Sequence, residues 1–177
     1  MNLIGLYSPA PSCGKTTVAN ILHEFGYSRA PFAAPLKRMA CKFLTEIGYD
    51  HAEADRLVWG DKEFLIPELG VTVRHILQTL GTEWGRQCIH ESLWIYAWSR
   101  SLQEHPKACV DDVRFFNEAM EIKARGGQMW LILRPDVEYV TTHASEGGLA
   151  GFQFDAVIEN DGSLDDLRQK VFDLLLF

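Results

Sequence analysis

An apolar run, Asn2 to Tyr7, leads into a segment rich in proline, serine and glycine, Ser8 to Gly14. Beyond it Val18, Ile21, Leu22 and Phe25 recur at i, i+3, i+4 and i+7, and Gly26 stands where a helix commonly stops. The reading is a buried strand, a tight loop and a helix, which commits the chain to an α/β fold. The rest of the sequence repeats this rhythm. Tyr27 to Phe32 is a candidate short strand, and Leu36, Met39, Ala40, Phe43, Leu44 and Ile47 form a helical stripe closed by Gly48. Ala108 to Val113 is read as a strand, Phe115 to Arg125 as a helix ended by Gly126 and Gly127, and Met129 to Leu133 as a further strand stopped by Pro135. Phe154 to Ile158 is read as the last strand. Ser163 and Asp166 have capping-box spacing before the stripe Leu164, Leu167, Val171 and Leu174. Alternating β and α elements with short connections predict a parallel sheet covered on both faces.

Two stretches depart from the rhythm. Between Asp50 and about His105 the patterns are helical (Ala54, Leu57, Val58; Val73, Ile76, Leu77, Leu80; Trp94, Ala97, Trp98), with no convincing strand, so the middle third reads as a helical insertion. Trp94 and Trp98 fall on a stripe and are expected in the core. Residues 135–152 show little periodicity and read as a functional loop. Mobility is expected at 135–152 and at roughly 50–70.

The loop at Ser8–Thr17 carries the chemical information. Between a first strand and a first helix, Gly14-Lys15-Thr16 matches the end of the phosphate-binding pattern GxxxxGK(S/T). Amides of Ser12, Cys13, Gly14, Lys15, Thr16 and Thr17, with the positive end of the helix dipole, would face an anion. Lys15 would reach the β- and γ-phosphates of a nucleoside triphosphate, and the Thr16 hydroxyl would ligate Mg²⁺. Pro9 occupies the position of the first glycine, and its fixed φ requires a different path into the loop. Asp112, at the end of the strand before Val113, is the candidate second metal-side residue. Arg114, two residues on, would share its side of an extended chain and neutralise charge on a transferring phosphoryl group. Arg134, opening the 135–152 loop, is a candidate ATP contact.

Composition narrows the function classes. At 177 residues, 47% of them hydrophobic, the chain can bury a single core. The net charge of −7 has the wrong sign for coating nucleic acid. No signal peptide or membrane span is read, and Cys13, Cys41, Cys88 and Cys109 have no metal or disulfide spacing, as expected of a reducing cytoplasm. Small-molecule nucleotides are the expected partners, and a homodimer is compatible with the sequence.

Four runs in one order, the Ser8–Thr17 loop, Phe32-Ala33-Ala34-Pro35-Leu36-Lys37, Arg74 through Arg86 (RHILQTLGTEWGR) and Asp112 through Ala119 (DVRFFNEA), resemble the phage-type deoxynucleoside monophosphate kinases. The likeness extends through His143-Ala144-Ser145-Glu146 to Asp155-Ala156-Val157-Ile158-Glu159-Asn160. It implies one kinase domain over 1–177: a P-loop three-layer α/β/α fold with a five-stranded parallel sheet, a helical monophosphate-binding lobe at 35–105 and a lid at 135–152. It further implies ATP as donor, a deoxynucleoside monophosphate (dNMP) as acceptor, Mg²⁺ as cofactor, and a role in DNA precursor supply in the cytoplasm of an infected bacterium. Arg74 and Arg86 present planar forks suited to a monophosphate, and Lys37 would add charge. Arg74 and Gln78 are i and i+4 on one helix and would reach one ligand. Gln78 would read a base edge, Trp84 would stack on the base, and Thr82 lies beside them. His143, Ser145 and Glu146 match the family pattern without an assigned chemical role. Other small-molecule P-loop kinases, acting on a coenzyme precursor or sugar acid, and an inactive ATP-binding partner protein are the competing readings.

Overall fold

A computed structural model describes residues 2–102, 106–135, 137 and 148–176. The chain divides into two compact units, Met1–Phe32 with Leu102–Phe177, and Ala33–Ser101.

The first unit is built on the strands β1 (Asn2–Tyr7), β2 (Ser28–Arg29), β5 (Lys107–Val110), β6 (Gln128–Leu133) and β7 (Ala156–Glu159). They form one parallel sheet in the order β2-β5-β1-β6-β7, the five-stranded parallel architecture expected. Its central strands are apolar almost throughout because helices cover both faces. Ile4 and Leu6 of β1 face one core with Val18, Ile21 and Leu22 of α1 (Lys15–Glu24) and Leu167 and Val171 of α7 (Leu164–Leu175). From the intervening Gly5, the direction a Cβ would take leads to Ile122 of α6 (Phe116–Ala124) on the opposite face. Because all five strands run parallel, the chain leaves every one of them at the same sheet edge. Residues following Tyr7, Arg29, Val110, Leu133 and Glu159 therefore gather there, where open α/β sheets bind ligands.

The second unit begins with α2 (Ala34–Glu46), whose Pro35 suits a first helical turn. Asp50 caps α3 (His51–Asp55), accepting the Glu53 N–H at 2.7 Å. A π-helical turn, Arg56–Gly60, follows, and then a short antiparallel pair, β3 (Leu65–Ile66) with β4 (Val71–Thr72). This hairpin corrects the strand-free reading of the middle third: strands of two residues are too short to display a period of two. Thr72 caps α4 (Val73–Gln78), which widens into a π-helical run, Thr79–Ile89, before α5 (Leu93–Ser101). Ala40, Leu44, Ala54, Leu57, Val58, Ile66 and Val73 share one core. Met39 and Phe43, from the α2 stripe, are 43% and 41% exposed and lie outside it.

The π run has an identifiable cause. Trp94 is buried against the backbone of the run, its Nε1–H donating to the Gly81 carbonyl at 2.8 Å. A Cβ on Gly85 would stand 2.5 Å from the same indole nitrogen, so only glycine admits the ring. The buried indole lies against the backbone of the run and takes one of its carbonyls, as a side chain that inserts into the helical ladder does. Trp98 is also buried, as its stripe predicts.

Candidate functional site

In the first unit the loop between β1 and α1 is anchored by Ala10 and Cys13, both buried in the core. Its bend is made at Ser12 and Gly14, with φ of 62° and 104°. No left-handed residue is needed at Pro9, which answers how a proline stands where the pattern has glycine. Gly14 is the N-cap of α1, with no side-chain capping bond and no acidic residue in the first turn. The first intrahelical bond runs from the Val18 N–H to the Gly14 carbonyl at 2.9 Å. The amides of Lys15, Thr16 and Thr17 thus have no intrahelical acceptor, and the dipole's positive end is not offset by a carboxylate. Thr16 is exposed on this turn.

The Lys15 ammonium donates to Ser8 Oγ, which donates in turn to the Ala10 carbonyl at 2.7 Å. Burial, and then the Arg114 guanidinium, push the Lys15 pKa down; Cys13, Asp111 and Asp112 oppose the shift. Arg114, Asp111 and Asp112 thus all act on the loop lysine. Such a lysine gains from a polyanion that supplies the solvation it lacks.

The segment after β5 differs from the extended chain expected. The strand ends at Val110, and Asp111–Asp112 form a turn. Arg114 therefore acts on Lys15 from beyond a turn. The turn forms because both carboxylates are held: Asp111 pairs with Arg29, and Asp112 Oδ1 accepts the Phe32 N–H at 2.8 Å. Arg134 follows β6 at the same edge and is exposed. Asn160, after β7, donates through Nδ2 to the Cys13 carbonyl at 3.0 Å and so braces the loop. His143, Ser145, Glu146 and most of the 135–152 segment, read from the sequence as a lid, lie outside the described residues.

In the second unit Lys37 places its ammonium 4.2 Å from the Trp59 ring centroid. Arg74 and Gln78 share α4, and Arg74 pairs with Glu63. Arg86 Nη1 donates to the Glu91 carbonyl at 2.8 Å. Thr82, Trp84 and Arg86 all belong to the π run. Trp84 is 40% exposed and rests against Trp94, with ring centroids 6.3 Å apart. It lines a shallow groove of about 490 Å³ with Pro35, Arg38, Met39, Lys42, Leu93, Trp94 and Ala97. At 100° per residue, Lys37 is about 150° around α2 from the row Pro35, Arg38, Met39 and Lys42. The structure therefore does not bring Lys37 and Trp84 to one face.

Sequence reasoning gave no role to Ser8, Asn160, Arg29 or Asp111, although Ser8 and Asn160 lie in the runs that carry the family resemblance. Their partners are remote in the chain or internal to the loop, and no local pattern shows the bonds they make. A further omission, Glu118, did carry a signal. It stands three residues after Phe115, the position from which a glutamate can accept the N-cap N–H, and it does so at 3.1 Å, although Phe115 has no side-chain acceptor to return the bond.

The sequence pattern of the deoxynucleotide monophosphate kinase family matches residues 61–171. A protein of Acanthamoeba polyphaga mimivirus named for that activity is 33% identical, over 97% of this chain and 94% of its own length. The chain belongs to the deoxynucleotide monophosphate kinase family. The deoxynucleotide monophosphate kinase of Escherichia phage RB69 is 27% identical over 59% of this chain and 45% of its own length. Its counterpart in Enterobacteria phage T4 is 29% identical over 56% and 44%. Against these two kinases, then, the match spans less than half of the relative. The crystal structure of TT1252 from Thermus thermophilus superposes with a TM-score of 0.56 at 22% identity, covering 99% of this chain and 96% of that one, a likeness of fold. The family pattern includes Arg74 through Arg86, Asp112, Arg114 and Asn160. It begins beyond the Ser8–Thr17 loop, which the mimivirus kinase relative covers within its near-complete match.

Proposed function

We propose that this chain transfers the γ-phosphoryl group of ATP to a deoxynucleoside 5′-monophosphate, giving ADP and the deoxynucleoside diphosphate for DNA precursor synthesis in the cytoplasm of an infected bacterium. The observation that carries the reading is the uncapped first turn of α1 behind Gly14, in a chain of this family, with Lys15 drawn under the influence of Arg114 and two aspartates. Ser12 through Thr17 would hold the triphosphate through their amides, with Arg134 as a further ATP contact. Lys15 would exchange the Ser8 hydroxyl for phosphate oxygens.

Thr16 and Asp112 fit a role beside Mg²⁺, since one is a hydroxyl on the phosphate-facing turn and the other a carboxylate acting on the same lysine. Among the described residues no cluster of three or more His, Cys, Asp or Glu stands ready for a metal. When bound, Mg²⁺ supplies charge neutralisation and alignment of the β- and γ-phosphates. Arg114 would stabilise charge on the phosphoryl oxygens as transfer proceeds. No general base is named, because alignment and charge stabilisation account for most of phosphoryl-transfer catalysis.

For the acceptor, Arg74 and Arg86 would take the monophosphate; Lys37, turned to Trp59 and away from the Trp84 groove, would take no part in it. Gln78, Thr82 and Trp84 would take the nucleoside. The ion pair of Arg74 with Glu63 and the bond of Arg86 to Glu91 orient both guanidinium groups before substrate arrives.

The test is turnover with Mg²⁺ and ATP against dAMP, dGMP, dCMP and dTMP in parallel with sugar-acid and pantetheine-type acceptors. ADP formation is expected to require a dNMP. Turnover driven by a polyol or by no acceptor would refute the proposal.

A further inference from the structure

The backbone of Arg114 is hydrogen-bonded on its amide side and closely approached on its carbonyl side. Its N–H donates to Glu118 Oε2 at 2.8 Å, and the adjacent Phe115 N–H donates to the same oxygen at 3.1 Å. Glu118 is only 4% exposed, although nothing in the proposed reaction uses a carboxylate there. Burying a carboxylate is unfavourable unless donors replace its water, and the two amides at the positive end of α6 do so. On the other side, Gly148 lies so close that a Cβ there would stand 2.6 Å from the Arg114 carbonyl oxygen. The next residues of the chain fix that approach: Leu149 is buried, and Phe152 packs edge-on against Phe116 of α6 with centroids 5.7 Å apart. Phe152 also meets Phe154 at 5.2 Å, and Phe154 stacks on Tyr7, the last residue of β1, at 5.6 Å.

We propose that Glu118 and Gly148 are positioning residues that fix the Arg114 backbone from its amide and carbonyl sides, so that the guanidinium is in place before the phosphoryl group moves. The proposal rests on the role given to Arg114 above. A long, flexible cation contributes to transition-state stabilisation only as far as its base is held, and a displacement of about 1 Å at such a group costs roughly a hundredfold in rate. The Glu118 carboxylate holds the amide side. Gly148 supplies the absence of a side chain that lets the 148–154 segment close over the carbonyl.

The experiment is steady-state kinetics with saturating Mg²⁺ and ATP and the best dNMP, on Arg114→Ala, Glu118→Ala, Glu118→Gln, Gly148→Ala and the doubles Arg114→Ala/Glu118→Ala and Arg114→Ala/Gly148→Ala. Glu118→Ala and Gly148→Ala are expected to lower kcat by about ten- to a hundredfold while the KM for ATP moves by less than about threefold. Glu118→Gln, whose amide oxygen still accepts both N–H groups, is expected to recover most of kcat. In the Arg114→Ala background each second change is expected to cost less than about threefold, because the group being positioned is gone. The proposal is overturned if Glu118→Ala lowers kcat by the same factor with and without Arg114, or if Glu118→Gln is as impaired as Glu118→Ala. It is also overturned if Arg114→Ala keeps native kcat. Should Glu118→Ala not fold, Gly148→Ala with and without Arg114 carries the same comparison, and equal losses in the two backgrounds overturn the proposal. Absence of turnover in the native protein would remove the kinase reading and this proposal together, whereas additive losses in a working enzyme would remove the proposal alone.

Discussion

Gly14→Ala tests the phosphate loop where its geometry is most demanding. Gly14 sits at φ 104° and ψ 11°, in the left-handed half of conformational space, where an L side chain costs about 1–2 kcal/mol. The added methyl would also stand 2.5 Å from Asn160 Nδ2. Asn160 must then withdraw and surrender its 3.0 Å bond to the Cys13 carbonyl, at a further cost of about 1 kcal/mol. The sum is roughly 2–3 kcal/mol, and at about 2–4 °C per kcal/mol for a chain of this size the melting temperature should fall by some 5–10 °C. The two contributions can be separated. With Asn160→Ala already present the clash disappears, and Gly14→Ala should then cost only the backbone strain, leaving a coupling of about 1 kcal/mol. Thermal unfolding of the native protein, both single variants and the double variant closes the cycle, and ATP titration of each reports the loop itself. A Gly14→Ala variant with native melting temperature and native ATP affinity would refute the argument.

Lys15→Ala should lower kcat by two or more orders of magnitude, because the ammonium interacts most strongly as charge gathers on the phosphoryl oxygens; an unchanged kcat would reject its role. Burial first and Arg114 second depress the Lys15 pKa, so the free enzyme should lose the cation, and activity with it, below the ordinary lysine range. Arg114→Ala removes one depressing charge and should move the alkaline limb of kcat/KM for ATP to higher pH; a shift to lower pH would contradict this. Arg86→Ala should raise the KM for the dNMP with little change in ATP affinity, and loss of ATP binding alone would assign Arg86 to the donor side. Ser163→Ala removes the hydroxyl that accepts the Asp166 N–H and donates to its carboxylate, and should destabilise α7 by about 1 kcal/mol, read as a lowered melting temperature with kcat unchanged.

Much of the first unit could be read locally. The apolar run Asn2–Tyr7 became β1 over the same residues, because a central parallel strand is apolar on both faces. Ser163 and Asp166 cap α7 as their spacing predicts. What escaped was set by contacts far apart in the chain. The π run from Thr79 depends on Trp94 wedging against Gly81 and Gly85, and nothing within those residues announces it. The hairpin at Leu65–Ile66 and Val71–Thr72 is too short to carry a pattern.

The site divides in the same way. Lys15 and Thr16 could be proposed from the sequence because a phosphate loop needs its residues at fixed local spacing. Asn160, whose bond to Cys13 joins residues 147 apart in sequence, had no such mark. Arg114 was picked from its offset to Asp112 in an extended chain. The structure replaces that geometry with a turn held by Arg29 and the Phe32 amide, and adds an effect the sequence did not suggest, the lowering of the Lys15 pKa by Arg114.

The most direct measurement follows the phosphorus atom. With ATP labelled at the γ-phosphorus, Mg²⁺ and a dNMP, the account predicts that label leaves ATP and appears in the deoxynucleoside diphosphate, mole for mole with ADP, and that Lys15→Ala abolishes the transfer. Label released only as inorganic phosphate, with the dNMP returned unchanged, would contradict it.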